Sequence, residues 1–211
     1  MLYKLGSFTK KSFCIGGAVA PAVVVFLARL VAATDSTVLV CDLSAEKSVF
    51  SCVAMHSMFK ETVVDVDGVL YCDEMIETVG RNVVIYYTGL TSVLDIEADY
   101  VYCIYDGSAV SAVVCRGLLA KFADKCKLCV RDCARDIPWV AAAKNIVYPL
   151  SINDDFAFMN FVNHGRYEYP LLSGGMLRVL NYMCTDIFGD MDFYALCKEA
   201  QVRESGLIGG Y

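Results

Sequence analysis

Gly16-Gly17-Ala18-Val19-Ala20-Pro21 ends one apolar run and opens the next. The first run is Ser12-Phe13-Cys14-Ile15, the second spans 22–33, and a third, Val38-Leu39-Val40-Cys41, ends in Asp42. Strand, glycine turn, helix and acid-terminated strand in this order form the layout of a phosphate-binding βαβ unit. Glycines let backbone N–H groups approach a phosphate, and the helix N-terminus adds its dipole. A nucleoside triphosphate asks for more. A lysine must meet the β- and γ-phosphates and a Ser or Thr hydroxyl must hold Mg²⁺, both where the loop enters its helix. Those places hold Ala20, Pro21 and Ala22, and Pro21 also removes one N–H donor, although a helix tolerates proline in its first turn.

Other chemistry-bearing patterns are weaker. Cys126-x-x-Cys129-x-x-x-Cys133 has metal-like spacing, but a closed zinc site wants a fourth N or S ligand, and neither His56 nor His164 is near in sequence. Lys127 to Arg131 alternates as a strand, which sets Cys129 on one face with Lys127 and Arg131, so separate structural cysteines are expected and no metal. Gly16 to Ala20 with Asp42 about twenty residues on also fits a decayed dinucleotide turn with a ribose-binding carboxylate, though it lacks G-x-G-x-x-G. Tyr86 and Tyr87 fall at a strand end, where aromatic residues often simply pack. No catalytic pair stands out.

The elements that must position these residues follow from periodicity. Apolar strand-like runs cover 12–15, 37–41, 82–87, 100–105, 127–130 and 145–149, and helical stretches cover 108–123, 134–144, 154–163, 174–188 and 191–201. Such alternation predicts an α/β fold, a mostly parallel sheet with helices on both faces. With 211 residues, 57% of them hydrophobic, and a mean hydropathy of +0.49, the chain can bury a sizeable core, and we expect a single domain over 1–211. The tail 204–211, with three glycines, is expected to be loosely held.

The net charge of −6 argues against sequence-independent nucleic-acid binding, which relies on Lys and Arg neutralising phosphates. The 11 cysteines are scattered through apolar segments and read as mostly reduced core thiols in a cytoplasmic protein. The apolar stretch 13–33 follows several lysines, a pattern that a signal peptide or anchor shares with a buried helix. Arg29 inside the run, and Pro21 beside paired glycines, favour the buried helix.

The order of these segments resembles the MinD/ParA group of P-loop ATPases, including pilus-assembly relatives of the TadZ kind. The resemblance spans roughly residues 10–190. Gly16 to Ala22 lies where that group has Gly-Gly-Val-Gly-Lys-Thr-Thr, and Val38 to Ser44 where a strand closes in Asp-x-Asp. Val84-Ile85-Tyr86-Tyr87-Thr88-Gly89 is similar to the Walker B strand, normally ending Asp-Thr-Gly. Ala98-Asp99-Tyr100-Val101-Tyr102-Cys103-Ile104-Tyr105-Asp106-Gly107-Ser108 is similar to "ADxVxxVxDPS". An unrelated doubly wound domain of flavodoxin or Rossmann type is the competing assignment.

The departures decide the expected chemistry. The loop lysine is absent, the extra signature lysine falls at Ile15, the second switch aspartate at Ser44 and the Walker B aspartate at Tyr87, while the adenine-reading asparagine falls at Arg131. Phosphoryl transfer relies on positioned cations and metal, so the resemblance implies a pseudo-ATPase with no catalytic residues. If a degenerate nucleotide site persists, it comprises Gly16, Gly17, Ala18, Val19, Ala20, Asp42 and Arg131. No cofactor is expected, with ATP or ADP held by backbone N–H groups as the alternative and a Rossmann-type dinucleotide-binding enzyme as another.

Clustered aromatics (Tyr100, Tyr102 and Tyr105; Phe156, Phe158 and Phe161; Tyr167 and Tyr169) suggest a contact surface as well as core. Residues 163–170 resemble a partner-docking loop, with His164 as a solvated residue. A scaffold or localisation factor for a pilus, secretion or partition system is the expected role. Protein partners are expected, and the resemblance implies a homodimer or a heterodimer with an active paralogue. The acidic C-terminal segment lacks the cationic face of a membrane-targeting helix.

Overall fold

The computed structural model describes residues 10–17, 20–55, 62–91, 95–131, 134, 138–141, 146–151 and 153–207. Its strands are β1 (Lys11–Gly16), β2 (Val38–Asp42), β3 (Val63–Val66), β4 (Val69–Cys72), β5 (Val83–Gly89), β6 (Tyr100–Tyr105), β7 (Cys126–Arg131) and β8 (Ile146–Leu150). They form one eight-stranded sheet in the order β3-β4-β2-β5-β1-β6-β7-β8. Every pairing is parallel except β3 with β4. β2 and β5 are buried along their whole lengths, as expected for parallel strands covered on both faces.

The helices are α1 (Ala20–Ala32), α2 (Ser48–Ala54), α3 (Ala109–Phe122), α4 (Pro138–Ala141), α5 (Asp154–His164), α6 (Gly174–Phe188) and α7 (Phe193–Leu207). All 13 residues of α1 are buried, because it lies between the sheet and an outer layer of α5, α6 and α7. A helix apolar all round is buried by this kind of double cover. Its Arg29 donates to the carbonyls of Asp67 (2.9 Å) and Ala200 (3.2 Å) and lies 5.7 Å from the centre of the Tyr167 ring. The cation thus ties α1 to the β3–β4 turn and to α7. Among the described residues no helix is long and apolar enough to cross a membrane.

The opposite face carries α3 and α4, while Ile76, Leu90, Ile96 and Ala98 from the neighbouring loops pack in the same cluster as residues of β2, β4 and β5. The N-cap Ser108 of α3 accepts from Ser111 N, and Ser111 Oγ donates to Ile104 O at 3.2 Å, fixing the β6–α3 turn.

Several expectations need correction. The β3–β4 hairpin and α2 were not anticipated. The hairpin turns on Asp67 and Gly68, both at positive φ (54° and 80°), the pair that a two-residue hairpin loop favours. The C-terminal helix runs to Leu207, so 204–207 are helical, and 208–211 lie outside the described residues. The aromatic clusters are mostly core. Tyr167 and Tyr169 are 0% and 2% exposed and meet Phe26 edge-on, at centroid distances of 5.9 and 5.3 Å. That packing buries the tyrosines of the segment expected to dock partners, whereas His164 ends α5 in solvent. Of the helix expected over 134–144, the described part is Pro138–Ala141.

Candidate functional site

β1, β2 and β5 end side by side, with Asp42 and Ile15 both in register with Tyr87. This carboxyl edge is where open α/β sheets bind ligands, and it gathers Gly16, Gly17, Ala20 and Asp42. Arg131 ends β7, two strands beyond β1, with its guanidinium paired to the Asp155 carboxylate. Ala18 and Val19 lie outside the described residues.

The glycine turn is closed on its own backbone. Gly17 sits at φ +121°, and a Cβ there would lie 2.1 Å from the Ile104 carbonyl oxygen, so only glycine fits. Its N–H, of the kind that would face a phosphate, donates to Gly89 O at 2.8 Å. Its carbonyl accepts from Ala20 N at 3.4 Å and from the Tyr87 hydroxyl at 3.3 Å. Gly89 is equally constrained: at φ +56°, a Cβ would meet Ser44 Cβ at 2.6 Å. Ala20 and Pro21, at the N-terminus of α1, are buried.

Tyr87 fills the space between these segments. It is 2% exposed, its hydroxyl also accepts from Ser48 Oγ at 3.3 Å, and burial pushes its ionisation well above the ordinary phenol value. A neutral phenol at this position offers no charge to a metal ion.

Asp42 is 1% exposed and fully engaged. Oδ1 accepts from Ser44 N (3.0 Å) and Ser44 Oγ (2.6 Å), and Oδ2 accepts from Val49 N (2.8 Å) and Phe50 N (2.9 Å). A carboxylate has about four lone-pair sites, so these four bonds leave none for a cation. The two bonds to Val49 and Phe50 cap α2, whose own N-cap residue, Lys47, is left-handed (φ 49°) and gives no side-chain cap. Lys47 Nζ donates to the carbonyls of Asp42 (2.8 Å) and Asp73. The sequence points to Asp42 and Ser44 but not to Lys47 and Ser48, because the link runs from a strand end to a helix start across a left-handed residue.

Cys126 and Cys129 fall on opposite faces of β7, with Cys129 on the face of Lys127 and Arg131. Cys133 lies outside the described residues, and among those described no group of three or more His, Cys, Asp or Glu is placed to hold a metal ion. No disulfide joins the described cysteines, and all of them but Cys52 are buried. Burial pushes the Cys14 and Cys129 thiols up to about 12. A cleft of about 670 Å³ opens at the other edge, by the amino ends of β1 and β6. Lys10, Lys121 and Lys125 line it together with Glu97 and Asp99, and Asp99 accepts from Ser12 N and Oγ, both at 2.8 Å.

No protein-family model matches this sequence, and no curated protein matches it significantly. Among solved structures, the chain is similar to the MinC:MinD cell division protein complex of Aquifex aeolicus, with a TM-score of 0.61 and 11% identity over 86% of this chain and 97% of that chain. At this identity the likeness shows the fold alone: a mostly parallel α/β sheet with helices on both faces, shared with a chain of that complex.

Proposed function

We propose that this chain is a non-catalytic, MinD/ParA-like pseudo-ATPase that acts through protein contact, as a scaffold or localisation factor. The observation that carries the reading is the closed carboxyl edge. A buried tyrosine stands at the place of the metal-holding carboxylate, the Gly17 N–H is spent on Gly89, and all four lone-pair sites of Asp42 are spent on α2 and Ser44. Admitting a triphosphate would break these bonds, with no loop lysine to supply counter-charge. The structural neighbour is a complex of MinD with MinC, which supports a protein partner as the kind of ligand to look for. Service in a pilus, secretion or partition system rests on the resemblance in sequence.

Thermal melting of the metal-free protein with Mg-ATP, Mg-ADP or NAD in millimolar excess tests this. A ligand at a hundred times its dissociation constant adds about 2.7 kcal/mol, which for a chain of this size raises Tm by roughly 5–10 °C. The expected result is no shift with any of the three. A shift with an adenine nucleotide would overturn the reading.

A further inference from the structure

Two thiol–thiol contacts of nearly equal length join neighbouring strands among the described residues, Cys41 Sγ to Cys72 Sγ at 3.5 Å and Cys103 Sγ to Cys126 Sγ at 3.6 Å, and Cys103 also meets the Cys115 thiol of α3. Their backbones differ. Cys41 and Cys72 are register partners on the parallel strands β2 and β4. Adjacent strands lie about 4.8 Å apart, inside the roughly 4.4–6.8 Å between Cα atoms that a disulfide spans. Cys126 is in register with Val101, two residues before Cys103. Diagonal neighbours of that kind are about 7–8 Å apart, beyond that reach. Of these two strand-to-strand contacts, the first alone can close into a bond without moving a strand.

We propose that Cys41 and Cys72 are an oxidation site: a dithiol that hydrogen peroxide, or a small-molecule disulfide, converts reversibly into a β2–β4 disulfide. The surroundings set the direction of the chemistry. The Cys72 thiol donates towards Cys41 and also contacts the carbonyls of Val40 (3.4 Å) and Glu74 (3.1 Å). That donation pulls the Cys41 thiol below its ordinary value and holds the Cys72 proton in place. Cys41 is therefore the nucleophile. Its thiolate attacks one peroxide oxygen, the O–O bond breaks, and hydroxide leaves with the proton that Cys41 gave up, as water. Cys72 sulfur then attacks the resulting sulfenic acid, and its thiol proton leaves with the displaced hydroxide as a second water. Two thiols are oxidised and one peroxide is reduced to two waters. Both sulfurs are buried, yet Cys72 lies one step beneath the surface, since Glu74, whose carbonyl it contacts, and Met75 are exposed. Opening of the non-helical loop 73–82 admits a molecule as small as peroxide.

The bond would form beside Asp42 and the carbonyl of Asp73 that Lys47 holds, clamping the base of the α2 cap. The proposal does not depend on the site being closed to nucleotides.

The test is mass spectrometry of the full-length reduced protein treated with hydrogen peroxide. The intact mass should fall by about 2 Da, two of the 11 thiols should be lost, and a tryptic map should join peptide 30–47 to peptide 61–81, each of which holds one cysteine. Dithiothreitol should reverse all three changes. In Cys72→Ser the bridge should be absent and dimedone should trap the sulfenic acid on Cys41. The wild-type map stands by itself if a variant fails to fold. Retention of every thiol at a peroxide dose that oxidises an added free thiol would overturn the proposal, as would a bridge that joins any other pair, Cys103 with Cys126 included.

Discussion

Replacing Tyr87 by alanine separates a packed plug from an incidental surface tyrosine. The ring is 2% exposed and lies among Gly17, Asp42, Ser48 and Gly89. Truncating a buried aromatic ring to alanine costs about 3–5 kcal/mol, through lost transfer energy and the cavity left behind. The hydroxyl contributes little of this, because both of its hydrogen bonds are 3.3 Å long against a usual O–H···O separation of about 2.8 Å. Tyr87→Phe should therefore cost no more than about 1 kcal/mol. With roughly 2–4 °C of Tm per kcal/mol in a chain of this size, Tyr87→Ala should melt roughly 10 °C below the parent and Tyr87→Phe within a few degrees of it. Urea unfolding of the three proteins gives the free energies directly. Mg-ATP should not restore the alanine variant, since removing the ring supplies no cation. A Tyr87→Ala cost below about 1 kcal/mol would refute the plug, and equal costs for the two variants would show that the hydroxyl, not the ring, holds the site.

Two further predictions concern the same core. Asp42→Ala should destabilise by about 3 kcal/mol, because it removes the cap of α2 and leaves the Val49 and Phe50 N–H groups without their acceptor; a loss under 1 kcal/mol in urea would refute the capping role. Tyr71, Tyr87, Tyr102, Tyr167 and Tyr169 all have ionisations raised chiefly by burial. Their folded values lie above the unfolded value of about 10, so the folded state holds the more protons and their stabilisation is present below about pH 10 and lost as pH rises through the folded values. Tyrosinate absorbance should accordingly show these five ionising together with loss of the fold, and reversible titration of all 13 tyrosines near pH 10 in the folded protein would contradict it.

Much of the fold was readable from periodicity, since buried parallel strands are continuous apolar runs: β6 and α6 match their expected bounds, and β1, β2 and β5 differ by one or two residues. α2 was not readable, because it has seven residues, starts after a left-handed lysine and takes its cap from Asp42 on the preceding strand. The hairpin did carry a signal, Asp67-Gly68 between apolar pairs, but Asp65 and Asp67 break the run into four-residue strands. The aromatic clusters misled because composition cannot reveal a second helical layer. Phe156 is 74% exposed, yet its neighbour Phe161 and the tyrosines that follow fill the space over α1. At the site, residue types were legible and bonding was not. Asp42 looks the same in sequence whether it faces a metal or caps a helix.

The closure of the carboxyl edge is collective. Backbone donors that an empty anion site would leave without partners must find others. Here Gly17 N finds Gly89 O, Leu43 N finds Tyr87 O, and the first amides of α2 find Asp42. These bonds tie the edge together: the β1 turn to the end of β5, and the end of β2 to β5 and to the start of α2. Tyr87 fills what remains between them, and Gly17 and Gly89 permit the close approach. Placing a lysine at Ala20 would thus add a buried cation to a sealed edge, at a desolvation cost of several kcal/mol, without opening it. On the reading proposed above, a triphosphate site here would require the cation, the metal carboxylate and release of these bonds together.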